Sequence, residues 1–263
     1  MSALDPILAY KADEVAALKR SHSEADLIQA ASNQSAPRPF VQTLSDIAAS
    51  GDNALICEMK RKSPSAGEIL PGAVPEEIAA DYEAGGAACL SVLTDGPSFG
   101  GSIADFQAIR AAVALPMLRK DFMIDPTQVI EARAIGADAV LVILSCTDDA
   151  LAKDLIETAH GLGMATLIET HSRDELDRAL NLDGSIIGIN NRDLTRMTTD
   201  LATTETLVSS IPASVDIISE SGISAPSDIS RLRKVGVTRF LIGESLMRQP
   251  NRRQACVDLR NAR

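Results

Sequence analysis

Short apolar runs alternate with longer stretches of mixed polar and apolar residues along most of this 263-residue chain. The short runs, at 54–59, 88–93, 115–119, 139–144, 165–169, 186–190, 215–219 and 239–242, read as strands. The stretches between them predict helices near 75–84, 102–112, 126–135, 148–162, 172–181, 200–209 and 226–235, with another from about 244 to the carboxyl end. Eight such repeats make an α/β chain, and the architecture they predict is a (β/α)8 TIM barrel, which typically needs about 250 residues. Punctuation agrees with the periodicity. Gly85-Gly86, Gly136 and Gly236 each stand between a helix and the next strand, where a left-handed cap is wanted, and Pro75, Pro126 and Pro226 occupy first helical turns.

Residues 1–50 precede the first strand and have no strand pattern. Helical stretches at about 12–20 and 23–32, then Pro37-Arg38-Pro39-Phe40 and a third helix at about 41–49, predict an amino-terminal helical extension. A regular barrel does not need such a segment, so we expect it to be packed over one end of a barrel formed by residues 51–263, in a single domain overall.

Composition narrows the function. A formal net charge of −11 excludes a nucleic-acid surface, which needs concentrated Lys and Arg, but leaves small anions open where positive charge is local. No apolar run approaches the roughly 20 residues of a membrane span, and Met1-Ser2-Ala3-Leu4-Asp5-Pro6 lacks the regions of a secretory signal, so a cytoplasmic protein with no membrane partner is expected. Cys57, Cys89, Cys146 and Cys256 are widely spaced and read as reduced thiols. His22, His160 and His171 have no metal-ligand spacing, and His171 is notable only for lying near Glu169.

The most informative run is Leu55-Ile56-Cys57-Glu58-Met59-Lys60. In an extended strand Glu58 and Lys60 project to the same side, about 7 Å apart. Charge at the end of an apolar strand points to a site, because burying it costs several kcal/mol per ion. Polar residues close four further strands: Arg119-Lys120-Asp121, Glu169, Asn190-Asn191-Arg192-Asp193 and Glu220-Ser221-Gly222. Taken singly, Lys120 reads as a solvated loop charge and Asn190 as a turn former; together they converge on the carboxyl-terminal mouth, where barrel chemistry is built. Ser221-Gly222 and Gly243-Glu244, in the turns after the last two strands, are the expected phosphate cradle, with Lys60 as a possible point charge on the same anion. The carboxylates alternate with lysines and form no oxygen cage, so no metal or organic cofactor is expected.

Six segments in order resemble the indole-3-glycerol phosphate synthase family: Glu58-Met59-Lys60-Arg61-Lys62-Ser63-Pro64-Ser65, Leu90-Ser91-Val92-Leu93-Thr94-Asp95, Leu118-Arg119-Lys120-Asp121-Phe122, Gly188-Ile189-Asn190-Asn191-Arg192-Asp193-Leu194, Ser219-Glu220-Ser221-Gly222-Ile223 and Leu241-Ile242-Gly243-Glu244-Ser245-Leu246-Met247. The resemblance runs from about residue 37 to 248 and implies an amino-terminal helical extension on a (β/α)8 barrel. It also implies a carboxy-lyase of tryptophan biosynthesis acting on a small sugar-phosphate substrate. The implied reaction closes the ring of 1-(2-carboxyphenylamino)-1-deoxyribulose 5-phosphate to give indole-3-glycerol phosphate, with loss of carbon dioxide and water.

The implied catalytic residues are Lys120, as the acid of ring closure, Glu169 for the dehydration, Glu58 to orient substrate and lysine, Lys60 as phosphate contact or alternative acid, and Asn190 as an orienting amide. Substrate contacts are expected from Arg192 on the carboxylate and from Ser63, Ser221, Gly222, Gly243 and Glu244. An ammonium among other cations has a lowered pKa, which would ready Lys120 as an acid. Lys60, Arg61, Lys62, Arg119, Lys120 and Arg192 are accordingly expected to make a basic mouth, with binding that weakens as salt rises. Oligomeric state is expected to be monomeric or weakly homo-oligomeric. Thr127, Ile135 and the loop Gly96-Pro97-Ser98-Phe99-Gly100-Gly101 depart from the family's usual aromatic residues.

Two other readings share parts of this pattern. An isomerase of the same barrel type, such as that of phosphoribosylanthranilate, would use a Cys and an Asp, whereas Cys57 is expected on the face opposite Glu58. A non-catalytic sugar-phosphate binder would not need Glu58, Lys120 and Glu169 together.

Overall fold

The computed structural model describes residues 4–193 and 198–263; Leu194, part of the fourth matching segment, and Met1 to Ala3 of the amino-terminal reading lie outside them. Helices α1 (Asp5–Ser21), α2 (Glu24–Ser32) and α3 (Phe40–Ala49) lead into β1 (Ala54–Met59), then β2 (Lys62–Ser63), β3 (Gly67–Glu68), α4 (Pro75–Ala84), β4 (Cys89–Leu93), α5 (Gly96–Phe99), α6 (Ile103–Ala112), β5 (Met117–Lys120) and α7 (Pro126–Ala134). The chain continues through β6 (Ala139–Ile143), α8 (Asp149–Gly161), β7 (Ala165–Thr170), α9 (Arg173–Ala179), β8 (Ile186–Asn190), α10 (Ala202–Val208), β9 (Ile217–Glu220), α11 (Pro226–Arg233), β10 (Arg239–Ile242), α12 (Glu244–Met247) and α13 (Arg252–Asn261). β1 and β4–β10 form a closed parallel barrel, a TIM barrel, with β1 paired to both β4 and β10.

Alternation along each strand divides the core in two. Ile56, Cys89, Leu118, Leu141, Leu167, Ile186, Ile218 and Leu241 fill the barrel interior. Leu55, Cys57, Leu90, Val92, Val140, Ile168 and Phe240 face the helices. Continuing the inward series to the strand ends gives a top layer of Glu58, Leu93, Lys120, Ile143, Glu169, Asn190, Glu220 and Gly243, all of which line the cavity at the mouth. The site is therefore the last storey of the barrel core.

Element boundaries follow local chemistry. Gly86, Gly136 and Gly236 have φ of +81°, +92° and +90°, so the predicted left-handed stops are present. The single helix expected from 244 onward is broken into α12 and α13: Pro250 cannot continue it, and the Asn251 side chain starts the next by accepting from the Gln254 N–H. The β2–β3 hairpin and the short α5, capped by Asp95, were not predicted; both are too short for a periodic signal.

The extension differs from expectation in reaching both ends of the barrel. Below, Phe40 and Leu44 of α3 are buried with the barrel interior, and Arg38 donates to the carbonyls of Val113 and Leu115, just before β5. Alongside, α2 packs on α7. Above, α1 begins at Asp5, earlier than predicted, and sends Lys11 to Asp95 (3.0 Å) and Asp121 (2.8 Å), beyond the carboxyl ends of β4 and β5.

Candidate active site

At the carboxyl-terminal mouth is a cavity of about 410 Å³. Its wall is apolar on one side, with Leu93, Phe99, Phe122, Leu141 and Ile143, the two Phe rings lying 6.1 Å apart. The opposite side carries the turns Ser221-Gly222 and Gly243-Glu244-Ser245. Between them lie the charged groups of the top layer.

Lys120 is the centre of this group. Its Nζ lies 2.8 Å from Glu169 Oε2 and 3.2 Å from Glu220 Oε2. Burial disfavours the ammonium, but Glu169, Glu220 and Glu58 outweigh it and raise the Lys120 pKa well above the ordinary lysine value. This corrects the expectation of a lysine lowered by neighbouring cations: its neighbours are carboxylates. Lys60 Nζ lies 2.7 Å from Glu58 Oε1; burial raises the Glu58 carboxyl, yet Lys60 and Lys120 hold it below its usual value.

Glu169 is opposed by burial and still held well below the usual carboxylate range, chiefly by Lys120 and then by His171. Asn190 Nδ2 donates to its Oε1 at 3.1 Å, while Asn190 Oδ1 accepts from the Arg192 N–H. Glu220 behaves oppositely. Burial and the charge of Glu169 push it up to about 7 against the pull of Lys120, and its Oε1 is buried with no partner among the described residues. The sequence places Glu220 at the mouth with Ser221-Gly222 but gives it no role; Ile218, inside the barrel two positions earlier, puts its side chain on the inward face.

Two glycines make room for these carboxylates. A Cβ on Gly243 would lie 2.4 Å from Glu58 Oε1, and one on Gly188 would lie 2.1 Å from Glu220 Oε1. Gly243 is thus needed for close approach of the carboxylate as well as for its place in the last turn. On the other side, Ser221 has φ +65°, the one non-glycine with positive φ among the described residues, followed by Gly222 at +81°. Buried Asn191 clamps this turn, donating to the carbonyls of Glu220 and Ser221 at 2.9 and 3.0 Å. Asn191 is a support that the sequence reading passed over.

Other predicted residues lie farther out. Arg192 lines the cavity and donates to Ser65 Oγ at 2.6 Å, tying the loop after β8 to the loop after β1. Ser63 is buried away from the cavity lining, where its Oγ accepts from the Ala66 N–H. Glu244 lines the cavity with its carboxylate turned to Arg248 at 3.1 Å. Cys57 lies outside the barrel against Cys256, their sulfurs 3.7 Å apart, away from the cavity.

Among the described residues the expected basic mouth is not formed. Arg61 forks onto Asp105 in α6, Lys62 donates to the Pro97 carbonyl, and Arg119 lies outside the barrel against Glu131 and Asp121. Among the described residues the cavity lining holds four cations, Lys60, Lys120, Arg192 and Arg248, against five acidic residues, Glu58, Asp121, Glu169, Glu220 and Glu244. Positive charge is placed at points and is not spread as a patch.

Comparison with known proteins agrees with this geometry. The model of the family described as indole-3-glycerol phosphate synthase matches residues 4–259. The indole-3-glycerol phosphate synthase of Hyphomonas neptunium is 61% identical over 248 residues, covering 94% of each chain. That of Aromatoleum aromaticum is 48% identical over 248 residues, covering 94% of this chain and 95% of the relative. Indole-3-glycerol phosphate synthase 2 of Ralstonia nicotianae is 45% identical over 263 residues, covering 100% and 98%. Among solved structures, thiamine phosphate pyrophosphorylase from Pyrococcus furiosus superposes with a TM-score of 0.60 at 16% identity, covering 85% of this chain and 96% of that one, a likeness of fold. The N-acetylmannosamine-6-phosphate 2-epimerase of Clostridium perfringens gives a TM-score of 0.59 at 15% identity, covering 79% and 90%, likewise a likeness of fold.

Proposed function

The chain belongs to the indole-3-glycerol phosphate synthase family, and from that premise we propose how its residues divide the family's reaction. The enzyme is a carboxy-lyase of tryptophan biosynthesis: it closes the pyrrole ring of 1-(2-carboxyphenylamino)-1-deoxyribulose 5-phosphate and releases carbon dioxide and water. The aromatic ring lies against the Leu93, Phe99, Phe122 and Ile143 wall, and the phosphate sits in the turns at Ser221-Gly222 and Gly243-Glu244-Ser245, with Lys60 beside it. Arg192 takes the carboxylate, for which the guanidinium fork is suited.

As the carboxylate-bearing ring carbon attacks the sugar ketone, negative charge grows on the ketone oxygen. Lys120 supplies a fixed positive charge there and then a proton, giving the alcohol. Its three carboxylate neighbours keep it charged until that moment, so it is a store of one proton and not an acid made weak-binding by other cations. Loss of carbon dioxide returns the electrons of the broken bond to the ring. The C–O bond then breaks while a C–H proton is lost from the five-membered ring: Glu169, ionised and aimed by Asn190, accepts that proton and passes it to the departing hydroxyl, which leaves as water. Glu58 orients Lys60 and substrate. On this reading Ser63 acts through the loop after β1 and not by contact, and residues 1–50 belong to the same domain as the barrel, because Lys11 of α1 fastens onto Asp121 after β5.

The observation that carries these roles is the contact of one part-buried ammonium with the buried Glu169 and Glu220 at the floor of a cavity whose rim bears both glycine turns. The test is indole fluorescence on mixing enzyme with the carboxyphenylamino deoxyribulose phosphate, a clean signal because the chain has no Trp. Turnover should be lost in Lys120→Ala and in Glu169→Gln. Near-wild-type turnover in either would remove that residue from its role.

A further inference from the structure

Glu169 is held from two sides, and only the Lys120 side has a role above. On the other side is His171, whose side chain is only 10% exposed. Its Nε2 lies 3.1 Å from Glu169 Oε1, a charge contact without the alignment of a hydrogen bond. Its Nδ1 lies 3.1 Å from Glu175 Oε2 on α9, and the same carboxylate oxygen accepts the His171 backbone N–H at 2.8 Å. The ring is therefore fixed by Glu175 and pointed at the back of Glu169. His171 is not part of the cavity lining.

The groups facing the ring are few. Glu169 comes from its own strand end and Glu175 from α9, while Cys146, in the turn after β6, senses both carboxylates but is pushed up to about 12 by burial and stays a thiol. Arg178, also on α9, is turned to Asp149 and the carbonyls of Leu144 and Thr147. Burial disfavours a charged imidazole, but the two carboxylates push His171 up to about 10, so it is an imidazolium at neutral pH. Charge across the site then balances: Lys60, Lys120 and His171 against Glu58, Glu169 and Glu175. Glu220 shares Lys120 with Glu169 and has no second cation among the described residues, so burial and the charge of Glu169 leave it at about 7.

We infer that His171 is a positioning residue for Glu169: the imidazolium, anchored by Glu175, fixes that carboxylate toward Lys120 and Asn190 and keeps it ionised while Lys120 holds its proton. The inference rests on the role proposed for Glu169. Without the cation behind it, Glu169 binds a proton more readily and loses one restraint on its orientation.

The experiment is a set of pH profiles of kcat and kcat/KM for wild type, His171→Asn, Glu175→Gln and Glu169→Gln. In His171→Asn the acid limb should move up by about one pH unit, with kcat down roughly tenfold at neutral pH and KM little changed, since His171 does not line the cavity. Glu175→Gln should move the limb the same way by less. A purely structural role would lower thermal stability and leave the limb in place, and an unmoved limb in both folded variants overturns the inference. Nitrogen NMR of the wild-type histidines gives a check without turnover: His171 should be protonated on both ring nitrogens at pH 8, and a neutral ring there overturns the inference even if His171→Asn does not fold. Turnover retained in Glu169→Gln would instead reject the role of Glu169 itself.

Discussion

Two lysines stand at the mouth of this barrel, the buried Lys11 from the extension and the part-buried Lys120 from β5, and each touches more than one carboxylate. Both have pKa values raised above the ordinary lysine value by those carboxylates despite burial. They differ in what remains open. Lys11 is 1% exposed, and its partners Asp95 and Asp121 are also engaged by Tyr10, Thr94 and Arg119, so the cluster is closed. Lys120 lines a cavity and its neighbour Glu220 keeps one oxygen unpartnered among the described residues. A satisfied ion cluster fastens structure together; one with an open coordination place can take a substrate.

The sharpest way to break this comparison is to remove each lysine. Lys120→Ala should lower kcat by roughly 10²–10⁴-fold, read by indole fluorescence, in a protein that still folds. Lys11→Met should do the reverse: it leaves Asp95 buried with no cation and Asp121 with Arg119 alone, so urea denaturation should show a loss of about 3–5 kcal/mol while kcat of the folded enzyme stays near wild type. If Lys11→Met abolished turnover at unchanged stability, the two clusters would not be distinct in the way described.

Gly243→Ala comes next, because its Cβ would displace Glu58; a shift of about 1 Å in an aligned site costs on the order of 10²-fold in turnover. Glu220→Gln tests the open oxygen by pH. A carboxyl raised to about 7 contributes stability that is fully present below its ordinary value near 4.5 and is lost as pH rises through 7. The amide mimics the protonated form at every pH, so the variant should match wild type in acid and exceed its melting temperature above pH 7. Salt should have the smallest effect: with the lining charges nearly balanced, KM should rise only slightly with ionic strength, and a steep rise would restore the basic mouth that the structure does not show.

The barrel was legible because its signal is periodic. Strand runs of four to six residues recur eight times, Gly stops at Gly86, Gly136 and Gly236 mark three of the returns, and the inward parity of Glu58, Lys120 and Glu169 follows from counting by twos along each strand. Charge was not legible in the same way. Arg119 and Lys120 are neighbours in sequence, yet one faces helix α7 and the other the cavity, and runs such as Arg61-Lys62 look basic until Asp105 and the Pro97 carbonyl are placed against them. Lys11 and Asp121 are far apart along the chain, and nothing local to either marks the pair. Glu220 was reachable by the same parity count that found Glu169, while the contact of His171 with Glu169 depends on how α9 leaves its strand.

The closure of β1 onto β10 has a consequence for how the enzyme is made. β1 is the earliest of these barrel strands to leave the ribosome, and one of its two edges waits for residues 239–242, synthesised long after it. The bottom of the extension waits as well, since Ser45 bonds Asp216 and Asn53 accepts no final place until its amide meets the carbonyls of Leu259, Arg260 and Ala262. At translation speeds of about 5–20 residues per second, that leaves an unpaired strand edge for roughly 10–40 s. During that interval the nascent chain is open to pairing with its neighbours on a polysome, and the arrival of β10 ends the exposure, after which the carbonyls of Leu259, Arg260 and Ala262 fasten Asn53 at the foot of β1.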